Sequence, residues 1–314
     1  MTYDYKKIIT NLCSFQERQR GGETKAKQYI LSVLDEKNIT YIDQDYHVEI
    51  PRYTTWELKV DGQTIESLPC GLRSGVINPN NIISSLISSQ KNPYDANINF
   101  NPLCPVISRS NHYHAPALAI SRNDVARVVE AGEVEAYMNL ESVSHTSTNV
   151  LVGNTKNPKH LIVSHYDSVG SGAVDNASGV ALSLDLIETR PELLDTCCFA
   201  ICANEEISFD EPVYWGHGYR VLEQEYKHLF EGVARITVVD SFGYSDIEVI
   251  QDKETLMLGF PVKSIDSLLH KTVMISGSYE GLMQFYHADN DVPDLIQDEY
   301  YDQARTHVLG IISE

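Results

Sequence analysis

The run His165-Tyr-Asp167-Ser-Val-Gly-Ser-Gly-Ala-Val-Asp175-Asn176-Ala-Ser-Gly179 puts an imidazole, two carboxylates and several glycines into one short stretch. It follows directly on the apolar segment Leu161-Ile-Val-Ser164. Imidazole nitrogen and carboxylate oxygen together make the donor set of zinc and related ions, so the stretch points to metal binding and hydrolysis. The remaining parts lie downstream. The apolar run 197–203 ends in Asn204-Glu205-Glu206, and the run 234–239 ends in Asp240. The segment Leu282-Met-Gln-Phe-Tyr286 ends in His287-Ala-Asp-Asn-Asp291. In open α/β sheets, sites form outside the carboxyl ends of strands, and each of these groups sits where such a run stops. His165 and Asp167 are two apart and project to one side of an extended chain, so the carboxylate can orient the imidazole. Glu205 and Glu206 diverge, which lets one bind a metal while the other reaches toward water. Asp175 sits just before a helix, where its charge is favoured by the helix N-terminus.

The elements that must carry these groups can be read from periodicity. Ala26, Tyr29, Ile30, Val33 and Leu34 give residues 23–37 the spacing of an amphipathic helix. Residues 41–66 read as short alternating segments, with Trp56, Leu58 and Val60 leading into an Asp61-Gly62 hairpin turn. Residues 76–105, rich in Asn, Ser and Pro, read as long loops, and 117–121 as a strand followed by a helix over 123–131. From residue 148 the pattern becomes regular. Strands at 149–152, 161–163, 197–203 and 234–239 alternate with helices at 177–189 and 219–230, and a helix over 298–312 follows. The expected fold is α/β, a mostly parallel central sheet with helices on both faces. Residues 1–40 and 145–314 should form the site-bearing unit, and 41–144 a β-rich inserted domain.

A formal net charge of −20 over 314 residues argues against nucleic acid and anionic membrane as partners, since both need a basic footprint. No apolar run approaches the roughly 18 residues of a membrane span. The start Met1-Thr-Tyr-Asp-Tyr-Lys-Lys lacks an apolar signal segment, which predicts a cytoplasmic protein. The six cysteines form no Cys-x-x-Cys pair. Cys198 and Cys202 share a strand face with Ala200 and read as small buried apolar residues, so reduced thiols are expected.

The set His165-x-Asp167, Asp175-Asn176-x-x-Gly179, Glu205-Glu206, Asp240 and His287-x-x-x-Asp291 resembles the co-catalytic di-zinc aminopeptidases, the family that also contains glutamate carboxypeptidase II. The resemblance spans most of 145–314, and the first 40 residues are similar to the helical start of that catalytic domain. It implies that His165 and Glu206 or Asp240 ligate separate zinc ions, that Asp175 bridges them, and that His287 is the remaining ligand. Glu205 matches the general base, Asp167 the acid supporting His165, and the Asp175-Asn176 bond a cis peptide. The 41–144 region resembles a protease-associated insertion, chiefly through Pro116-Ala-Leu-Ala-Ile-Ser121. The implied activity is hydrolysis of peptide substrates by a water activated between two Zn²⁺, most readily as an aminopeptidase. The donor set also accommodates Mn²⁺ or Co²⁺. A carboxypeptidase or a non-peptide amidase on the same scaffold, a one-zinc glutaminyl cyclase type and a non-catalytic binding protein are the competing expectations. The oligomeric state is not encoded in these motifs.

The sequence departs from that family at two places. Asn204 stands where glycine usually precedes the glutamate pair, and a longer loop, 207–216, follows Glu206. Its Phe209, Tyr214 and Trp215 are expected either to shape a substrate pocket or to pack the loop down, and Tyr279 either to face substrate or to pack. Asp291 is expected to hydrogen-bond His287 or to cap the final helical region. His112-Tyr-His114, without an acidic or cysteine partner in sequence, reads as a solvated loop.

Overall fold

Alternation along the apolar runs decides the layers. In the strand His160–His165, Ile162 faces one core and Leu161 and Val163 the other; in Cys197–Cys202, Phe199 and Ile201 face the first core and Cys198, Ala200 and Cys202 the second. Both faces of these strands are therefore apolar, and each must be covered by helices. The computed structural model describes residues 3–313 and contains that arrangement. One face is covered by α1 (Tyr5–Cys13), α2 (Gly21–Glu36), α3 (Ser178–Thr189) and α5 (Asp298–Ser313). The other carries α4 (His217–Glu225) and the shorter helices Lys227–Gly232, Lys253–Gly259 and Ile265–Leu268.

The main-sheet strands are β1 (Tyr41–Val60), β2 (Val134–Gly153), β3 (His160–His165), β4 (Cys197–Cys202), β5 (Arg235–Val239), β6 (Glu248–Ile250) and β7 (Thr272–Ser276), in the order β6-β7-β5-β3-β4-β2-β1. Two short strands, Gln63–Thr64 and Gly75–Val76, extend the sheet beside β1 and β2. The centre is parallel: β3 pairs with β4 and β5, and β5 with β7. The flanks are antiparallel. A parallel centre aligns the carboxyl ends of β3, β4 and β5, so the residues that follow them emerge on one edge.

The segment 41–66 differs from the expected series of short pieces. β1 is one strand of 20 residues, paired along its length with the equally long β2 from Tyr41↔Val152 to Val60↔Val134, with an irregularity between Tyr53 and Thr55. The alternation is continuous: over the far half of the ribbon its buried apolar residues, Leu58, Val60, Ala136 and Met138, face a small second layer, and the exposed residues between them face water. That layer is a four-stranded sheet, Leu68–Pro69, Ala117–Ile120, Asn97–Phe100 and Ile82–Ser84, packed on the far half of the ribbon through Leu58, Ile98, Leu118, Ile120 and Met138. The Asp61-Gly62 turn closes a two-residue hairpin. The expected helix over 219–230 is broken at Tyr226 into two. All six cysteines are buried and unpaired. Among the described residues, no helix is long and apolar enough to cross a membrane.

Candidate metal centre

The ends of β3, β4 and β5 deliver His165, Glu205-Glu206 and Asp240 to one sheet edge. The turn Ala173–Ala177 ahead of α3 brings Asp175, and the segment after the helix Tyr279–Leu282 brings His287. All six side chains are buried. His165 Nε2 lies 3.2 Å from Asp175 Oδ1 and 3.4 Å from Asp240 Oδ1. His287 Nε2 lies 3.3 Å from Asp175 Oδ2 and 2.7 Å from Glu206 Oε2. Asp175 thus turns one oxygen to each histidine and joins two groups of donors.

The arrangement fits metal ions by its own chemistry. Neither ring nitrogen of His165, nor Nε2 of His287, has a hydrogen-bond partner, although carboxylate oxygens crowd around them. Four buried carboxylates converge here, and among the described residues none is paired with Lys or Arg. Such groups are costly to bury unless paired or ligating a metal. The protonation behaviour reflects the crowding. Burial pushes Glu205 well above the usual carboxylate range and Glu206 up to about 7. Burial disfavours a charged His287, but Glu206 and Asp175 outweigh it and lift the imidazole to about 10.

The residues that hold this centre are backbone-directed. Asp167, fully buried, accepts from the amides of Glu205 (3.0 Å) and Glu206 (2.9 Å) and from Gln19 Nε2 (3.1 Å), with His165 Nδ1 3.4 Å away. It fixes the β4 end as well as lying beside the histidine. Asp291 neither bonds His287 nor caps a helix. Its carboxylate accepts from the amides of Val174 (2.8 Å) and Asp175 (3.1 Å) and so holds the turn that presents Asp175. His287 Nδ1 is set by the Arg109 carbonyl at 3.1 Å. Asn176, joined to Asp175 by a cis peptide, bonds Gly179 N and Val239 O.

Backbone conformation explains one departure from the expected pattern. Asn204 has φ +53°, in the left-handed region that glycine enters freely and that asparagine tolerates better than most residues. Its side chain donates to Ile207 O, which stabilises the bend carrying the glutamates. Ser241 and His287 also have positive φ, so three backbone outliers cluster at this edge.

Several contributors carry no legible signal in the sequence. Arg18, completely buried, donates to the carbonyls of Tyr166, Ser171 and Gly172 and shapes the loop after β3. Gln19 supports Asp167, and Arg109 reaches His287 through its backbone. A lone Arg-Gln pair and a carbonyl leave no motif. His112 and His114 are buried rather than solvated; they pack against Tyr214, whose hydroxyl accepts from the His112 amide.

The centre forms the floor of a cavity of about 400 Å³. Tyr214, Trp215 and Tyr279 line it; Phe209 does not, packing instead with Leu72 and Ile207 beneath the loop. The 207–216 loop is fastened by Asp210, which receives His217 Nδ1 (2.7 Å) and Arg220 Nη2 (2.8 Å), and by Trp215 Nε1 donating to Met257 O.

The sequence model of peptidase family M28 matches residues 147–209, the stretch from β2 through Glu205-Glu206. No curated protein matches the chain. Among solved structures, a zinc aminopeptidase from Bacillus subtilis is similar at a TM-score of 0.68 with 14% identity, covering 99% of this chain and 94% of its own. A peptidase M28 precursor from Shewanella amazonensis matches at 0.70 with 15% identity, covering 99% and 92%. A glutaminyl cyclase from Fimbriiglobus ruber shares the fold less closely, at 0.55 with 13% identity, covering 99% and 95%.

Proposed function

We propose that this chain, which belongs with the M28-type zinc exopeptidases in its fold and in its 147–209 segment, is an aminopeptidase that uses two zinc ions to remove N-terminal residues from peptides. The observation that carries this reading is the division of Asp175 between two histidines, one oxygen to each. His165, Asp240 and Asp175 would hold one ion, and His287, Glu206 and Asp175 the other. Zinc bound there supplies Lewis acidity and lowers the pKa of water from about 15.7 toward about 7. Glu205 makes no ion pair with either histidine among the described residues, so its carboxylate is available to accept a proton from water and return it to the leaving amine.

Glu205→Gln should lower turnover of a leucyl arylamide by roughly 10²–10⁴-fold, the contribution of a positioned base, with zinc content by atomic absorption unchanged. Retained turnover would remove Glu205 from this role. Faster cleavage of N-acetylated than of free-amine substrates would move the reading toward a carboxypeptidase or amidase. A single zinc per chain would favour chemistry of the cyclase kind.

A further inference from the structure

The small second sheet sends a finger into the active-site cavity. After the strand Ile82–Ser84 the chain runs through Ser85–Lys91, and Ser85, Leu86, Ile87, Ser88 and Lys91 all line the cavity. Asn111 pins the finger by donating to Ser85 O (2.6 Å) and Ile87 O (3.2 Å), and Ser88 caps its final turn through Gln90 N. Leu86 and Ile87 are exposed apolar residues lining this space, as are the similarly exposed Leu258 and Tyr279 of the catalytic unit. Two kinds of charge share the lining with these apolar residues. The floor holds the buried acids Asp175, Glu205, Glu206 and Asp240, while exposed Lys91 is the one Lys or Arg among the lining residues. Among the described residues Lys91 makes no ion pair, in a chain of net charge −20 where acids are plentiful.

We infer that the finger is a specificity element and that Lys91 receives the terminal carboxylate of a short peptide. Its amino end lies at the metal centre, and its apolar side chain lies against Leu86, Ile87 and Leu258. This rests on the aminopeptidase reading and names the substrate class: peptides of a few residues with an apolar first residue and a free carboxyl end. The amino end is placed by the two-ion centre, and the carboxylate by the single lining cation. A chain that continues past the rim offers Lys91 no carboxylate. The pair is solvent-exposed, so its effect is modest, about fivefold in affinity or in kcat/KM.

The test compares Leu-Gly-Gly with its C-terminal amide on the zinc-loaded protein. It also uses analogues of both in which the first peptide bond is reduced to a methyleneamino link that cannot be hydrolysed. Wild-type protein should favour the free acid about fivefold in kcat/KM and, by calorimetry, in binding of the uncleavable pair. In Lys91→Met the acid-to-amide ratio should fall to about one, and in Lys91→Glu below one. Equal handling of acid and amide by wild type, or a preference that survives Lys91→Met, overturns the assignment. If neither peptide is cleaved but the reduced analogues keep a Lys91-dependent carboxylate preference, the rim site stands and the aminopeptidase reading falls. Absence of both cleavage and preference overturns both.

Discussion

Replacing Asp167 by Asn tests whether the support of the centre is electrostatic or merely steric. The side chain is fully buried, and each hydrogen bond it makes is accepted: from Glu205 N at Oδ1, where His165 Nδ1 also lies 3.4 Å away, and from Glu206 N and Gln19 Nε2 at Oδ2. The side-chain amide introduced by Asp167→Asn would be nearly isosteric but would have to turn its NH₂ toward one of them. With NH₂ in the Oδ1 place, the bond from Glu205 N becomes a donor–donor contact. With NH₂ in the Oδ2 place, two bonds are lost. The first orientation loses fewer hydrogen bonds, one to a charged group worth about 1.5–3 kcal/mol, and it also turns the NH₂ toward His165 Nδ1 in place of the charge there. Because the lost bond is made by the residue before a proposed ligand, zinc affinity should fall about 10–100-fold, the range for losing a group that orients metal ligands. Competition for zinc against a chromophoric chelator measures the affinity, and urea unfolding of the metal-free protein measures the stability term separately. An unchanged zinc affinity alongside an unchanged urea midpoint would refute the reasoning, because it would mean that the three donors to Asp167 contribute nothing.

Other outcomes follow from the same geometry. Stripping metal with a strong chelator should lower the melting temperature, and zinc should restore it, since an ion at 100 times its Kd stabilises by about 2.7 kcal/mol per site; an unmoved transition in calorimetry would count against metal at this edge. Burial opposes the charge on Asp210, but His217 and Arg220 hold its carboxyl down to about 2. A depressed folded pKa gives stability that is present above the unfolded value near 3.9 and lost as pH falls toward 2, so the 207–216 loop should loosen in that window. The emission of Trp215, read against Trp56→Phe to isolate it, should shift there in wild type and already be shifted at neutral pH in Asp210→Asn. Gly218→Ala places a Cβ 1.9 Å from Ala203 O, a backbone atom that cannot step aside, so α4 should be forced off the end of β4. The expected cost of about 1–3 kcal/mol is checked by urea unfolding, and a neutral result would mean the helix can slide freely.

What the sequence conveyed about this molecule depended on whether a feature was local. His165, Glu206 and Asp240 could be placed together because each comes at the end of an apolar run whose length and alternation imply a buried strand, and a parallel sheet aligns the ends; Asp175 joins them by lying just before the helix that follows the first of these strands. Asp167 read as a partner of His165 because i and i+2 share a side. Its principal bonds, to the amides of Glu205 and Glu206, cross from β3 to β4 and have no counterpart in spacing. Asp291 shows the same limit. It lies four positions after His287, which suggests a pair, yet its oxygens meet amides more than a hundred positions earlier. The long ribbon of β1 and β2 was obscured because half of it lies over a second layer and half in the main sheet, so its polar alternation changes meaning midway. That ribbon is the reason a region that reads as an accessory insertion reaches the site at all. It carries the 41–144 region back over the sheet edge, where Arg109 O sets His287 and the Ser85–Lys91 finger lines the cavity. A region joined to the site through His287, a proposed metal ligand, cannot be removed as a dispensable module. Its deletion should therefore weaken zinc binding even where the catalytic sheet still folds.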